Sequence, residues 1–131
     1  MDVYKSYIDE LKEDTVVDEI TLKEKALLLP GIKAKWVARL ITHKNTLNKL
    51  EKQKPKIVNA LIEKYKQESP IKLHIAVAKE KAENSEELSE LNQQITDEKT
   101  IIEFLEKVEK IISSMSFDMS NIVKIVQLET T

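Results

Sequence analysis

The longest hydrophobic pattern in the chain runs from Ile32 to Tyr65, where positions recur at steps of three and four residues. That period keeps side chains on one stripe of an α-helix, so it predicts a long amphipathic helix. Of the two polar residues on the stripe, His43 is interpreted as a hydrogen-bonded seam residue rather than a ligand or pH switch. Lys54 is interpreted as a snorkelling side chain rather than a buried ammonium. The stripe comprises Trp36, Leu40, His43, Leu47, Leu50, Lys54, Ile57, Leu61 and Tyr65.

Two shorter helices are predicted before this one. The first has Tyr4, Tyr7, Ile8 and Leu11 at helical spacing and ends at Asp14-Thr15. Thr21 and Glu24 have capping-box spacing, so a second helix is expected over residues 22–29, followed by a break at Pro30-Gly31. Pro55 predicts a kink or a restart of the long helix without loss of its apolar face. The expected buried side of the second helix is Leu22, Leu27, Leu28 and Leu29.

The pattern changes after Ser69-Pro70. Residues 71–77 alternate apolar and polar side chains, which favours a short β-strand. A single strand must pair with another subunit or with Val16-Val17. The alternative is that this segment is helical. Asn84-Ser85 followed by Glu86 resembles a helix N-terminus.

The helix that starts there should run to about Ser113, with an apolar stripe that widens toward its end. A last short helix follows and is apolar on most sides. We expect it to form a subunit interface, although it could instead cap its own bundle. The expected interface residues are Phe117, Ile122, Val123, Ile125 and Val126.

These elements predict a mainly α-helical fold of long amphipathic helices, with one possible strand near 71–77, assembling as an oligomer. The 131 residues suit a single helical domain over 1–131. Its expected parts are N-terminal helices and a turn (1–31), a basic long helix (32–68), a connector or strand (69–84) and C-terminal oligomerisation helices (85–131).

Charge divides the chain more sharply than its formal net charge of −2 indicates. Residues 1–32 carry a net charge of −4, residues 33–66 carry +8 and residues 67–131 carry −6. A basic middle between acidic ends fits a polyanionic partner, acidic ends that dock on another subunit's basic middle, or a merely solvated lysine-rich helix. Lys49, Lys52 and Lys56 share the face of the long helix opposite its apolar stripe.

The chain offers few residues for catalysis. It has no cysteine, one glycine and two histidines, and it lacks the common phosphate-loop, nucleophile-elbow and metal-site motifs. We expect no enzymatic activity, no cofactor and no metal site. No apolar run is long enough to span a bilayer, and residues 1–10 do not resemble an export signal, so a membrane partner is not expected.

The order of several short segments resembles the UvsY family, the recombination mediators of T-even-like phages. The likeness spans roughly Ser6 to Leu128. It includes Leu11-Lys12-Glu13-Asp14, Val17-Asp18, Leu29-Pro30, Lys35-Trp36, Lys49-Leu50-Glu51, Tyr65, Glu103-Phe104-Leu105-Glu106-Lys107-Val108, Ile111-Ile112, Phe117 and Ile122.

The resemblance implies a function. Members of this family bind single-stranded DNA without enzymatic activity, and they help a RecA-like recombinase, UvsX, to replace the single-strand-binding protein. They form ring-like oligomers of about six or seven subunits with closed symmetry. The implied location is the cytoplasm of the infected bacterial host.

Two segments depart from the family pattern. Where members carry basic DNA-binding residues in the long helix, this chain has Asn59-Ala60-Leu61, and Met115-Ser116 replaces an Arg-Gly pair before Phe117. The DNA-binding charge is expected on neighbouring positions. The candidates are Lys35, Arg39, Lys49, Lys52, Lys54, Lys56, Lys64 and Lys66.

Three functions remain open from sequence. The chain could be a mediator that binds single-stranded DNA, a purely structural helical oligomer, or an adaptor whose basic face binds an acidic protein segment.

Overall fold

The computed structural model describes residues 2–68 and 75–130, and these residues form four α-helices. Helix α1 spans Asp2–Asp14, α2 spans Leu22–Glu68, α3 spans Ile75–Glu83 and α4 spans Glu86–Thr130. No strand occurs in this part of the chain. The prediction of a mainly α-helical fold is therefore confirmed, and so is the end of the first helix at Asp14.

The strand expected over residues 71–77 is wrong where it can be checked. Residues 75–77 form the first turn of α3, whereas residues 71–74 lie outside the described residues. Ala78 and Ala82, one helical turn apart, are completely buried. Alanine has the highest helix propensity. Glu80, midway between the two alanines, is exposed, whereas a strand would place all three residues on one face.

Helix α2 is continuous through Pro30, Gly31 and Pro55, so the predicted break after Leu29 and the alternative of a restart at Pro55 are wrong. A proline inside a helix costs about 3 kcal/mol, and Gly31 does not adopt a positive φ. Against that cost, each large apolar side chain that is fully buried contributes roughly 1.5–3 kcal/mol. Four such side chains flank the Pro-Gly pair on one stripe, namely Leu29, Ile32, Trp36 and Leu40.

This continuity also corrects the expected buried face near the start of α2. Leu29 is buried, but Leu27 and Leu28 are 73% and 51% exposed. Leu22, two turns before Leu29 on the same side of the helix, is half-buried. The buried stripe therefore passes through Leu29, Ile32 and Trp36 and leaves Leu27 and Leu28 outside it.

Helix α4 likewise continues past Ser113 to Thr130, so the separate short C-terminal helix is wrong. The sequence from Glu86 to Thr130 contains neither glycine nor proline. The buried positions Val108, Ile112, Met115 and Met119 follow one another at helical spacing and carry the stripe across the expected boundary.

Side chains cap the N-termini of α4 and α2. Ser85 caps α4, because its Oγ accepts a hydrogen bond from the Leu88 amide at 3.2 Å, as predicted. Before α2, Asp18 Oδ1 accepts the Thr21 amide at 2.8 Å, while Thr21 Oγ1 accepts the Asp18 amide at 3.2 Å. This reciprocal pair has the geometry of a capping box one turn earlier than the Thr21–Glu24 pair expected from sequence. Hydrogen bonds donated to the carboxylate by the amide and then the hydroxyl of Thr21 lower the pKa of Asp18.

The described residues fall into two compact units. The first comprises Met1–Thr42 and Ile101–Thr131. Its buried side chains come from α2 and α4, whereas α1 contains no buried residue. The buried α4 residues of this unit are Ile101, Ile102, Leu105, Val108, Ile112, Met115 and Met119.

The second unit, His43–Thr100, has its own core. Leu88, Leu91 and Ile95 of α4 are buried in it, and Leu47, Leu50, Ile57 and Val58 of α2 pack against them. The expectation of a single domain stays a prediction. No described helix is long and apolar enough to cross a membrane.

Candidate nucleic-acid interface

Three exposed lysines of α2 form the clearest basic surface in the His43–Thr100 unit. Lys49, Lys52 and Lys56 are spaced by three and four residues, so their side chains leave the helix on one side. Among the residues that the structure describes, no carboxylate forms an ion pair with any of the three. We call Lys49, Lys52 and Lys56 the lysine face.

The core of the same unit fixes the direction of the lysine face. Leu50 and Ile57 pack toward the cluster formed by Leu88, Leu91 and Ile95. Because residues on a helix follow a period of 3.6, the lysine face lies on the side of α2 opposite this packing. The same helical period that directs Leu50 and Ile57 into the core therefore directs the three ammonium groups to solvent.

The other lysines of this unit that were predicted to bind DNA differ in their surroundings. Lys54 and Lys64 are exposed, which agrees with the snorkelling interpretation of Lys54. Lys66 lies 3.7 Å from Glu63. Glu51, the one acid between Lys49 and Lys56, lies 3.9 Å from the ammonium of Lys99. The acid nearest in sequence to the lysine face is thus partly neutralised by a different lysine.

The structure gives Lys35 and Arg39 partners that the sequence analysis did not foresee. The guanidinium of Arg39 donates two hydrogen bonds to the carboxylate of Glu10 in α1, one of them 3.2 Å long. Lys35 lies 2.6 Å from Asp14 and 2.9 Å from Glu10. Both basic residues are occupied by acids of the same unit.

Aromatic rings complete this arrangement. The indole of Trp36 donates a hydrogen bond to Asp14 at 2.9 Å and is 1% exposed. Tyr7 meets the indole edge to face with 5.7 Å between ring centroids. The Arg39 guanidinium lies 4.7 Å from the ring centroid of Tyr7 and 4.8 Å from that of Trp36, within the range of cation–π attraction. We call this group of residues the Trp36 cluster: Tyr7, Glu10, Asp14, Lys35, Trp36 and Arg39.

The charges in the Trp36 cluster stabilise one another. Hydrogen bonds from Arg39, and then from Lys35, hold the pKa of Glu10 below its ordinary value of 4.5. Burial by itself lowers the pKa of Lys35, but hydrogen bonds to Asp14 and Glu10 outweigh it and raise the pKa above 10.5. Around neutral pH both groups are therefore held in their charged forms.

One signal in the sequence could have indicated the Trp36 cluster. Glu10 and Asp14 are four residues apart, as are Lys35 and Arg39, so each pair lies on one side of its helix. The sequence analysis considered acidic ends docking on another subunit's basic middle. In the structure, the acidic α1 instead docks on basic residues of its own chain.

His43 lies in a seam, as predicted. Its Nδ1 is 2.7 Å from the Glu98 carboxylate, and both side chains are largely buried. Within residues 2–68 and 75–130, no group of three histidines or acids could hold a metal ion.

The residues expected to form a subunit interface differ in exposure. Phe117, Val123 and Ile125 are 68%, 40% and 54% exposed, whereas Ile122 and Val126 are half-buried. Of these five residues, Phe117 and Ile125 are the most exposed.

Comparisons with known proteins agree with this fold. A family model described as "Recombination, repair and ssDNA binding protein UvsY" matches residues 10–131. Two crystal structures of the bacteriophage T4 recombination mediator protein UvsY, in different lattice types, share the fold with TM-scores of 0.78 and 0.77. The first is 18% identical and the match covers 96% of this chain and 98% of that one; the second is 17% identical with 97% of each covered. No curated protein matches the sequence.

Proposed function

Because this chain belongs to the UvsY family, we propose that its recombination-mediator role depends on binding single-stranded DNA through the lysine face. Lys49, Lys52 and Lys56 are exposed on one side of α2 and have no acid partner among the described residues, and this observation carries the proposal. Lys54 and Lys64 add positive charge to the same helix. Phosphates of a nucleic-acid backbone are the anions that such a row of ammonium groups fits.

The proposed contact is electrostatic and independent of base sequence. Lysine presents a compact charge without the planar fork with which arginine reads a base edge. Trp36 is buried, so it offers no platform for base stacking in this structure. We therefore expect similar affinity for any unstructured single strand and a steep dependence on salt.

The mediator role extends this contact to protein partners. We propose that the chain contacts a RecA-like recombinase and helps it to replace a single-strand-binding protein on the strand. No catalytic step is part of this role, and its setting is the cytoplasm of the infected bacterial host. The exposed apolar side chains around Phe117 and Ile125 are proposed to join copies of the chain in a ring-like oligomer. Linked subunits raise the affinity for one strand without any new kind of contact.

The lysine face can be tested by replacing Lys49, Lys52 and Lys56 with alanine. Binding of an unstructured oligonucleotide, measured by fluorescence anisotropy, should weaken by a similar factor for every sequence. If each subunit neutralises about three phosphates, the wild-type slope of log affinity against log salt is near −2 per engaged subunit, from about −0.7 per phosphate. The variant should have a flatter slope while its circular dichroism and sedimentation stay unchanged.

A matched control removes the same charge elsewhere. Lys107, Lys110 and Lys124 are exposed lysines of α4, and their replacement by alanine should reduce affinity much less. Equal losses in the two variants would indicate a general charge effect and contradict the lysine face. A wild-type chain that assembles but binds no oligonucleotide would be a structural oligomer, or an adaptor if it binds an acidic peptide instead.

A further inference from the structure

We propose that Lys35, Trp36 and Arg39 of the Trp36 cluster form a second binding site for the single strand, which helix α1 covers by placing its own carboxylates where phosphates would bind. The inference rests on the proposed function, because it assumes a polyanionic single strand. It concerns Lys35 and Arg39, which the structure shows engaged by α1 rather than open to solvent.

The first observation is the chemistry beneath α1. Arg39 and Lys35 supply two cations, and Trp36 supplies an aromatic ring against which the guanidinium lies. A cation beside an aromatic ring is the combination with which single-strand binders hold a phosphate and stack a base. Glu10 accepts two hydrogen bonds from Arg39 in the manner of a phosphate, since arginine binds both anions through the same fork.

The second observation is how α1 is held. None of its residues is fully buried and Tyr4, Ile8 and Leu11 are half-buried, so α1 docks with less apolar burial than stabilises α2 and α4. The acid–base contacts of the Trp36 cluster and ring-edge contacts, including Tyr4 against Phe104 at 5.2 Å, also hold it. Ion pairs between partly exposed groups contribute little and weaken with salt, so a competing polyanion can displace them.

The third observation is the charge of α1 itself. Its 13 residues hold five acids and two lysines, a net charge of −3. A strand that approached Lys35 and Arg39 would be repelled until α1 moved away. A strand already bound to the same oligomer competes at a raised local concentration, which favours the exchange. Helix α1 thus keeps the second site closed to short or weakly held anions.

The test compares two variants of α1 that lose the same charge. Glu10→Gln with Asp14→Asn removes the carboxylates that contact Lys35 and Arg39. Asp9→Asn with Glu13→Gln removes two exposed carboxylates of the same helix and is the control. The first variant should bind an unstructured oligonucleotide about three- to tenfold more tightly than wild type, because a few partly exposed ion pairs change affinity by about this factor. The control should gain much less.

Adding Arg39→Ala to the first variant should abolish its gain, since the gain requires the uncovered guanidinium. Equal gains in the two α1 variants, or none in either, would overturn the proposal. Circular dichroism of each variant checks that the helices persist.

A second measurement uses the wild-type chain, in which Trp36 is the only tryptophan. Its fluorescence should change on addition of oligonucleotide, because Tyr7 and Asp14 leave the indole and a base replaces them. If anisotropy of the labelled strand reports binding while Trp36 emission and quenching by acrylamide stay constant, α1 remains docked and only this inference fails. If neither wild type nor the Glu10→Gln, Asp14→Asn variant binds the strand, the proposed function fails with it.

Discussion

At the scale of single residues, Arg39 shows how a charged side chain is used for structure. Its guanidinium bonds to Glu10 and lies against the rings of Tyr7 and Trp36, so one residue links α1 to α2. Lysine at this position would keep the charge but lose the planar fork that makes two hydrogen bonds and packs against aromatic rings. The choice of arginine rather than lysine therefore matters at position 39, whereas the DNA contact proposed for the lysine face requires only positive charge.

A prediction about pH follows from the pKa of Glu10. Because this pKa is lowered in the folded chain, the stabilisation by Glu10 is fully present above its ordinary value of 4.5. It is lost as the pH falls through the lowered value. Glu10→Gln should therefore reduce the free energy of unfolding near neutral pH by about 0.5–1 kcal/mol, the range for partly exposed ion pairs.

Thermal unfolding of wild type and Glu10→Gln, followed by circular dichroism, checks this prediction. The two midpoints should differ at pH 7 and converge as the pH falls below 4.5 and through the lowered pKa of Glu10, where the native carboxylate also becomes protonated. A difference that stays constant from pH 7 to the acid limit would show that the carboxylate charge does not stabilise the fold. Lys35, whose pKa is raised, stays charged throughout this range.

At the scale of elements, the continuity of α2 depends on side-chain packing rather than on local sequence. Proline and glycine are the weakest helix formers, yet α2 passes through both Pro30 and Gly31. The buried stripe from Leu29 to Leu40 holds the backbone helical across them. Helix propensity is a local preference of at most about 3 kcal/mol, and tertiary contacts outweigh it here.

Gly31→Ala tests the helical conformation at this point. Gly31 has no positive φ, and a Cβ added there would meet no atom within 4 Å. Alanine should therefore stabilise the fold by about 0.5–1 kcal/mol, because glycine loses more backbone entropy in a helix. Chemical denaturation measures the change. Ala34→Gly, one turn further along the same helix, should cost a similar amount, whereas a destabilising Gly31→Ala would favour the turn expected from sequence.

At the scale of the whole molecule, the exposed apolar side chains of α4 allow the proposed oligomer to be tested. Phe117 and Ile125 remain 68% and 54% exposed, so their burial requires another chain. Replacing both with aspartate should yield smaller species that remain helical, as measured by analytical ultracentrifugation and circular dichroism. Ile122 and Val126 are poorer probes, because they are half-buried within the subunit and their replacement would also weaken the fold.

Ser120→Asp with Gln127→Glu serves as the control for assembly. Both positions are exposed on α4, and the pair adds the same two charges without removing apolar surface. This variant should sediment like wild type. If the Phe117, Ile125 variant also sediments like a wild-type oligomer, the subunits associate through another surface; a wild type that sediments as a monomer would contradict the proposed assembly itself.

The sequence alone determined the mainly helical fold, the position of the lysine face and the cap at Ser85. Each of these depends on periodicity or on neighbouring residues, which are local properties of the chain. The resemblance to the UvsY family was likewise visible from the order of short segments, and the family match confirms it.

The tertiary structure decided what local rules could not. It carried α2 through Pro30 and Gly31, extended α4 to Thr130 and placed residues 75–77 in a helix. It also paired Lys35 and Arg39 with acids more than twenty residues away. This pairing distinguishes them from the lysine face, whose residues have no acid partner in the part of the chain that the structure describes. The physical reason is that packing and ion pairing join residues distant in sequence. At Pro30 and Gly31 the energy of that packing exceeds the local preference against a helix.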